Sequence, residues 1–597
     1  MKNIFIAGFI FVVLFLSSCE KDYLEMTPDE NLTLEQVFSD RRNTEAFLVN
    51  VYNSQPEEMN FTNDWGLNPF VGGSDELDLP FTNAFGNAIN TGAWSPTNNG
   101  SNPTPWIWDN AYDGIRKANI FLENIDNASL SPELITRWKG EATFLRAFFH
   151  FNLLRTYGPI ILLNQSIPTS ADFRSYRRNT LEECVDFIVN ECNNAASLME
   201  MNVVDGRYGT ATKAAALALK ARTLLYMASP LYNGNPAYAN FTDNEGVRLF
   251  PQEYRAERWQ AAAQAAKECI DQLEASGYRL YKSGDNDPVK NYQELFLARN
   301  NPEIIYTRTL GVYSQFEYVT TPNGMGGWSG LSPTQEVVDA YEMNNGEAPI
   351  TGYNPNGSPI INTASGYQEN GYVDKAHPKG YYPARVRNMY VNREPRFYAS
   401  INFNGQYWRT RQIEFYKEGG RDAQKGGPDY SPTGYLLKKF SDPTVNAVQG
   451  IFTLKTWIYF RLGEQYLNYA EALNEAEGPV ADVYKYVNAI RERSGLPNLP
   501  AGLSKEQMRE KIRHERQIEL AFETHRYFDT RRWKIAEQTD NREIHGMNIS
   551  TGNSIQDDRF YERKVVERRV FDVRHYLWPI PQPEIDQNPN LVQNLGW

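Results

Sequence analysis

Cysteine is scarce in this chain, with four in 597 residues, at positions 19, 184, 192 and 269. Cys184 and Cys192 fall in one predicted helix, LEECVDFIVNECNNAASLM. Eight residues at about 1.5 Å each put them roughly 12 Å apart, beyond the ~7 Å limit for a disulfide. No disulfide framework staples this fold. Six histidines leave little material for metal sites, and no Cys/His cluster has zinc spacing; neither a metal nor a cofactor is implied. There is no H-E-x-x-H, no G-x-S-x-G and no phosphate-cradling Gly-Lys-Ser loop, and His514-Glu515 lacks a second histidine. Excess positive charge is also missing. The formal net charge is −13, which argues against nucleic acid or an anionic membrane face as partner, since both need clustered Lys and Arg. With 73 Asp and Glu, a glycosidase's pair of carboxylates stays open on sequence alone.

Long apolar runs are absent after residue 19. The one run that exists, in MKNIFIAGFIFVVLFLSSC, starts after Lys2 and is too short to span ~30 Å of hydrocarbon comfortably. Its charged, apolar, small layout is that of a secretory signal. Leu-Ser-Ser-Cys resembles a bacterial lipobox, in which the thiol takes the lipid and the chain is cut before it. Residues 1–18 are then a lipoprotein signal peptide, and Cys19 is the lipidated first residue of an exported body. Several acyl chains hold far more firmly than one. Polar, acidic residues 19–33 read as a tether, with Pro28 blocking regular structure.

What the chain holds in quantity is rings. Aromatics make up 13%, with 36 Tyr and 12 Trp; such rings stack on sugar faces or fill a large core. The rest of the text is mainly helical. Thr33 and Gln36 form a capping box. Ser131 and Pro132 open a helix that stops at Gly158-Pro159. TATKAAALALKARTLLYMASP and ERWQAAAQAAKECIDQLEAS carry alanine at three-four spacing, and RLGEQYLNYAEALNEA and ADVYKYVNAIRERSG form another pair, broken at Gly478-Pro479. Small residues on a helix seam let two helices approach closely, as in tetratricopeptide-type hairpins. The fold class expected is mostly α: tetratricopeptide-like hairpins with a loop-rich remainder containing short strands. The boundaries expected are 34–277 for an N-terminal helical region and 278–597 for the rest.

Two stretches break the helical pattern. Residues 54–105 are dense in Gly, Asn, Pro and aromatics, a composition that marks a functional loop when rings are interleaved. Between about 278 and 450, short β-favouring runs are separated by Gly/Pro/Asn loops. Near the end, Glu515, Arg516, Glu519, Glu523 and Arg526 lie at helical spacing with Arg531 and Arg532 just beyond, and these charges and the pair Glu141 and Arg146 read as packed ion pairs. Trp106, Trp108, Trp138, Trp533 and Trp578 sit in or beside regular elements and read as structural.

YDGIRKANIFLENI, GEATFLRAFFHFNLLRTYGPI, SPTQEVVDAYEMNNG, NREPRFYASINFNG, IRHERQIELAFETHRYFDTRRW and the closing LWPIPQPEIDQNPNLVQNLGW together resemble the SusD/RagB family of outer-membrane lipoproteins. The similarity covers nearly the whole chain. The departures are Thr524-His525, where the family usually has glycine, and Leu595 in place of proline before the final Gly-Trp. The resemblance implies a non-catalytic surface protein, anchored in the outer membrane through lipid. It would capture a glycan and hand it to a SusC-like TonB-dependent transporter. A peptide-binding RagB-like role is the alternative, and a glycoside hydrolase a weaker one.

A glycan asks for flat rings in exposed loops and for side chains that take hydroxyls. Trp65, Trp94 and Trp328 are the candidates, each in Gly/Asn-rich text, with glycines flanking Trp328 that would let a ligand come close. Asp75, Glu76, Asn98 and Asn99 are candidate hydrogen-bonding groups, and Tyr318, with Tyr313, lies in the same half of the chain as Trp328.

Overall fold

The structure is a computed structural model, described here for residues 32–61, 68–97, 104–168 and 170–597. The signal and lipidation motif at Cys19, Trp65, Asn98 and Asn99 lie outside these residues. Helix starts follow the local caps. Thr33 and Gln36 form the expected box ahead of Leu34–Ser39, Thr180 and Glu183 do the same ahead of Leu181–Leu198, and Ser504 and Gln507 ahead of Lys505–Glu519. Gly158 and Gly478 end their helices at positive φ, a region where glycine has no Cβ penalty.

The long helices are α1 (Arg41–Asn53), α2 (Thr104–Asn124), α3 (Pro132–Tyr157), α4 (Leu181–Leu198), α5 (Lys213–Ala228), α6 (Glu257–Ala275), α7 (Leu462–Glu477), α8 (Ala481–Arg493) and α9 (Lys505–Glu519). They stack in a row: α1 on α2, then each helix on the next as far as α7, which meets both α8 and α9. This is the tetratricopeptide-like arrangement expected. Alanines make it possible. In α5, Ala214, Ala215, Ala216, Ala218 and Ala221 are buried, so neighbours close in on both sides of one slim helix. Cys184, Cys192 and Cys269 are buried free thiols within the row.

The row is not continuous in sequence. Between α6 and α7 the chain leaves for residues 276–461 and returns. The root of this excursion is an antiparallel ribbon, β1 (Ile304–Val312) with β2 (Leu454–Arg461), paired from Leu454 opposite Val312 to Arg461 opposite Ile304 with register shifts along the way. The sheets among the described residues are all two-stranded, so the excursion is loops, short helices and short pairings, without a large sheet domain.

At that root sits a buried ion network. Arg461 reaches Glu303 (2.9 Å), Glu519 (2.7 Å) and Glu523 (2.8 Å). Arg493 pairs with Glu303 and Glu519, and Arg396 with Glu394, Glu515 and Glu519. Burial raises the cost of ionising Glu519, yet Arg493, Arg461 and Arg396 hold its carboxyl far below the usual range. In a second buried cluster, Arg532 and Arg516 share Glu471 and Asp529. The late charge run is thus packed ion pairs, as read. Glu141 and Arg146 are not partners, however: Tyr52 donates to Glu141 (2.7 Å) and Arg146 pairs with Glu191 (2.6 Å). The helix pitch puts residues 141 and 146 on different faces. Thr524, at the usual glycine position, has φ +71, the left-handed region in which a Cβ is strained.

The C-terminal tail is sewn to the first helices. Asn594 donates to the carbonyls of Tyr157 (2.8 Å) and Trp578 (2.6 Å), Arg178 to that of Val592, and the Trp597 indole to those of Arg574 and Leu577.

Candidate functional site

The excursion carries the most site-like group of rings. The short helix Ser314–Val319 buries Phe316, Glu317 and Val319 and leaves Tyr318 half-buried. Glu317 anchors it from below, accepting from Arg409 (2.8 Å) and Ser441 (3.1 Å) and pairing with Lys455. The chain then turns back, and the Trp328 N–H donates to the Tyr318 carbonyl (2.7 Å). That bond places the two rings side by side, stacked with centroids 5.1 Å apart and planes at 13°. Phe452 meets Tyr318 edge-on at 5.0 Å. Sequence reasoning missed Phe452, whose neighbours gave it no loop signature.

The glycines here serve the turn. A Cβ at Gly327 would lie 2.1 Å from the Thr321 carbonyl oxygen, and one at Gly324 2.3 Å from that of Arg421. Only glycine lets these backbones touch, so Gly324 and Gly327 are accounted for by a tight turn without invoking a ligand. Asn323 is fully used as well, donating to Ala423 and Asp429 carbonyls and accepting from Gly324. Beside the rings, loop 443–453 exposes Val448 (76%) and Ile451, and Leu454 at the start of β2 is exposed as well. The result is a preformed aromatic surface with apolar flanks.

The other expected contacts are placed differently. Trp94 is only 5% exposed. It packs on Trp597 (4.6 Å), Trp578 (5.0 Å), Phe85 (6.0 Å) and, face to face, His575 (5.7 Å). The C-terminal tail therefore makes Trp94 a core ring, and its assignment as a ligand contact is corrected. Asp75 is 2% exposed and bidentate to Arg526 (2.8 and 2.7 Å). Burial pushes its carboxyl up, but Arg526 outweighs that and lowers it; it too is corrected to a structural role. Residues 68–79 as a whole run through the core, because Phe70, Val71, Leu77 and Leu79 bury more apolar area there than an exposed loop allows. Trp65 and Asn98 lie outside the described residues. Trp108, Trp138, Trp533 and Trp578 are buried as read, whereas Trp106 is 47% exposed.

Glu76 is buried and accepts the Phe522 N–H (2.9 Å). Burial, with the neighbouring Asp75 charge, raises its carboxyl to about 8 from 4.5. The fold therefore holds a proton that the unfolded chain releases, and stability from this group falls as pH rises through that window. Glu76→Gln removes the titration. The urea midpoint of the variant relative to the parent is expected to climb between pH 5 and pH 8; a difference independent of pH would contradict the assignment.

Comparison with known proteins adds a sequence-level match. A family model described as the SusD family matches residues 282–597, more than half the chain. A second, described as "Starch-binding associating with outer membrane", matches residues 22–225. The chain is similar to SusD-like protein P38 of Formosa agariphila, 23% identical over all of this chain and 99% of that one. A solved structure named BT4246 superposes with a TM-score of 0.80 at 27% identity, covering 94% of this chain and 100% of that one. A SusD-like carbohydrate binding protein from Bacteroides fragilis superposes at 0.71 with 22% identity, covering 93% and 100%.

Proposed function

This chain belongs to the SusD family, and from that premise we propose that it is a cell-surface lipoprotein that binds a glycan and delivers it to a SusC-like TonB-dependent transporter. The observation that carries the reading is the Tyr318–Trp328 stack. Sugar rings present C–H faces, which pack on such surfaces, and the backbone bond from Trp328 to Tyr318 holds the two rings side by side in the unliganded fold. The matched model's starch-binding description supports a glycan, as does the carbohydrate-binding description of the Bacteroides fragilis relative.

Binding without cleavage fits the electrostatics. Hydrolysis of a glycosidic bond calls for two unencumbered carboxyls flanking the sugar. Beside the platform, Glu317, Glu414 and Asp422 are each tied to an arginine, Arg409, Arg421 and Arg411. Affinity electrophoresis against a panel of soluble polysaccharides and peptides tests the reading. Retardation by at least one polysaccharide is expected; retardation by peptides alone would replace the glycan with a peptide ligand.

No described helix is long and apolar enough to cross a membrane, and the matched model's description includes association with the outer membrane. That description supports an anchor at Cys19. Cys19→Ser is expected to move the protein from the membrane fraction to the soluble fraction. A variant that still sediments with membranes would contradict lipidation there.

A further inference from the structure

On the helical side, remote in sequence from the aromatic platform, α2, residues 161–167, residues 173–176 and the C-terminal segment line an open cavity of about 490 Å³, within the range of small-molecule sites. Its walls include four rings, the almost fully buried Trp108 together with Tyr112, Phe173 and Tyr176, beside the aliphatic Ile161, Leu163 and Leu591. Trp108 and Tyr112 lie with centroids 4.8 Å apart at 55°. Phe173 is 53% exposed and leans on Tyr176 at 6.3 Å. The walls are pinned. The Tyr112 hydroxyl donates to the Ile161 carbonyl (3.0 Å), and Asn588 donates to the carbonyls of both Phe173 (3.0 Å) and Tyr176 (2.7 Å).

The charges in the cavity are unbalanced. Asp113 is paired with Lys117 (2.6 Å), and Arg116 is engaged with the Ile167 carbonyl (2.7 Å). Asp109 and Glu584 have no cation within ion-pairing distance among the described residues. Burial, and then the charge of Asp109, raises the Glu584 carboxyl, although the Trp108 indole donates to it. A cation entering between them would relieve that repulsion.

We propose that this cavity binds an organic ammonium ion, with Asp109 and Glu584 taking the charge and the rings of Trp108, Tyr112, Phe173 and Tyr176 enclosing the carbon body. Aromatic faces attract cations through the ring quadrupole, more strongly in a partly desolvated site, and a carboxylate adds the charge-assisted hydrogen bond. The same chemistry occurs in a lysine side chain and in an amino sugar.

Phenethylammonium chloride is the probe, titrated calorimetrically into the whole mature protein at low salt. Saturable binding is expected, at least about tenfold tighter than that of neutral phenethyl alcohol, one decade being the scale of a single lost charge contact. Asp109→Asn/Glu584→Gln should weaken it by a similar factor with an unchanged urea midpoint, and Phe173→Ala, at an exposed position, should weaken it independently. Trp328→Ala should leave it intact, which separates this site from the glycan platform. Nα-acetyl-lysinamide and glucosamine run beside the probe distinguish a protein-borne ammonium from a sugar-borne one. Equal affinity for the amine and the alcohol, an unaffected double variant, or no saturation by about 20 mM would overturn the proposal.

Discussion

Trp328→Ala/Tyr318→Ala is expected to abolish glycan retention while leaving the urea unfolding curve close to that of the parent. Aromatic anchors at binding surfaces are worth about 2 kcal/mol or more each, so losing both should weaken affinity on the order of a thousandfold. Stability should change little because both side chains are only half-buried and the helix beneath them is held by Glu317. Trp94→Ala is the control. Its ring is enclosed by Trp578, Trp597, Phe85 and His575, so truncation should cost roughly 3–5 kcal/mol of stability and leave the affinity of the remaining folded protein unchanged. Retention that survives the double variant but fails in Trp94→Ala would reverse the two assignments.

Glu519→Gln is expected to be the most damaging conservative change in the chain. Glu519 bonds to Arg396 (3.0 Å) and Arg461 (2.7 Å), pairs with Arg493, and is fully buried. Without its charge, three guanidiniums share the remaining carboxylates of Glu303, Glu394, Glu515 and Glu523. Breaking a buried pair by removing one partner costs about 3–5 kcal/mol, because the partner's charge stays desolvated. The loss should be read as a lower urea midpoint. It should also raise protease sensitivity within residues 304–461, since Arg461 and Glu303 close the root of that excursion. A change below about 1 kcal/mol would fall in the range of exposed ion pairs and contradict this view of the network.

The helical row was legible because its signals are local. Thr33 with Gln36, Ser131 with Pro132, and Ser504 with Gln507 are each settled within one turn. The alanine seams of α5 and α6 lie within single windows. The ribbon that pairs Leu454 with Val312 has no local signal, because its two strands are separated by most of the excursion and only the fold brings them together. The rings fail for the same reason. Trp94 and Trp328 stand in similar Gly/Asn/Ser-rich text, yet the C-terminal tail packs on one and leaves the other at the surface. Asp75 read as a loop carboxylate until Arg526, far along the chain, supplied its partner. Phe452 could be linked to Tyr318 only through geometry.

The most direct test of the account is to bind a polysaccharide that the protein retains, hold the mixture for a day, release the ligand and compare its chain length with the starting material, using the parent and Trp328→Ala/Tyr318→Ala side by side. Full-length ligand recovered from the parent, and almost none retained by the variant, is the result expected of a gripping surface that does no chemistry. Shortened chains from the parent, or equal recovery from both proteins, would contradict it.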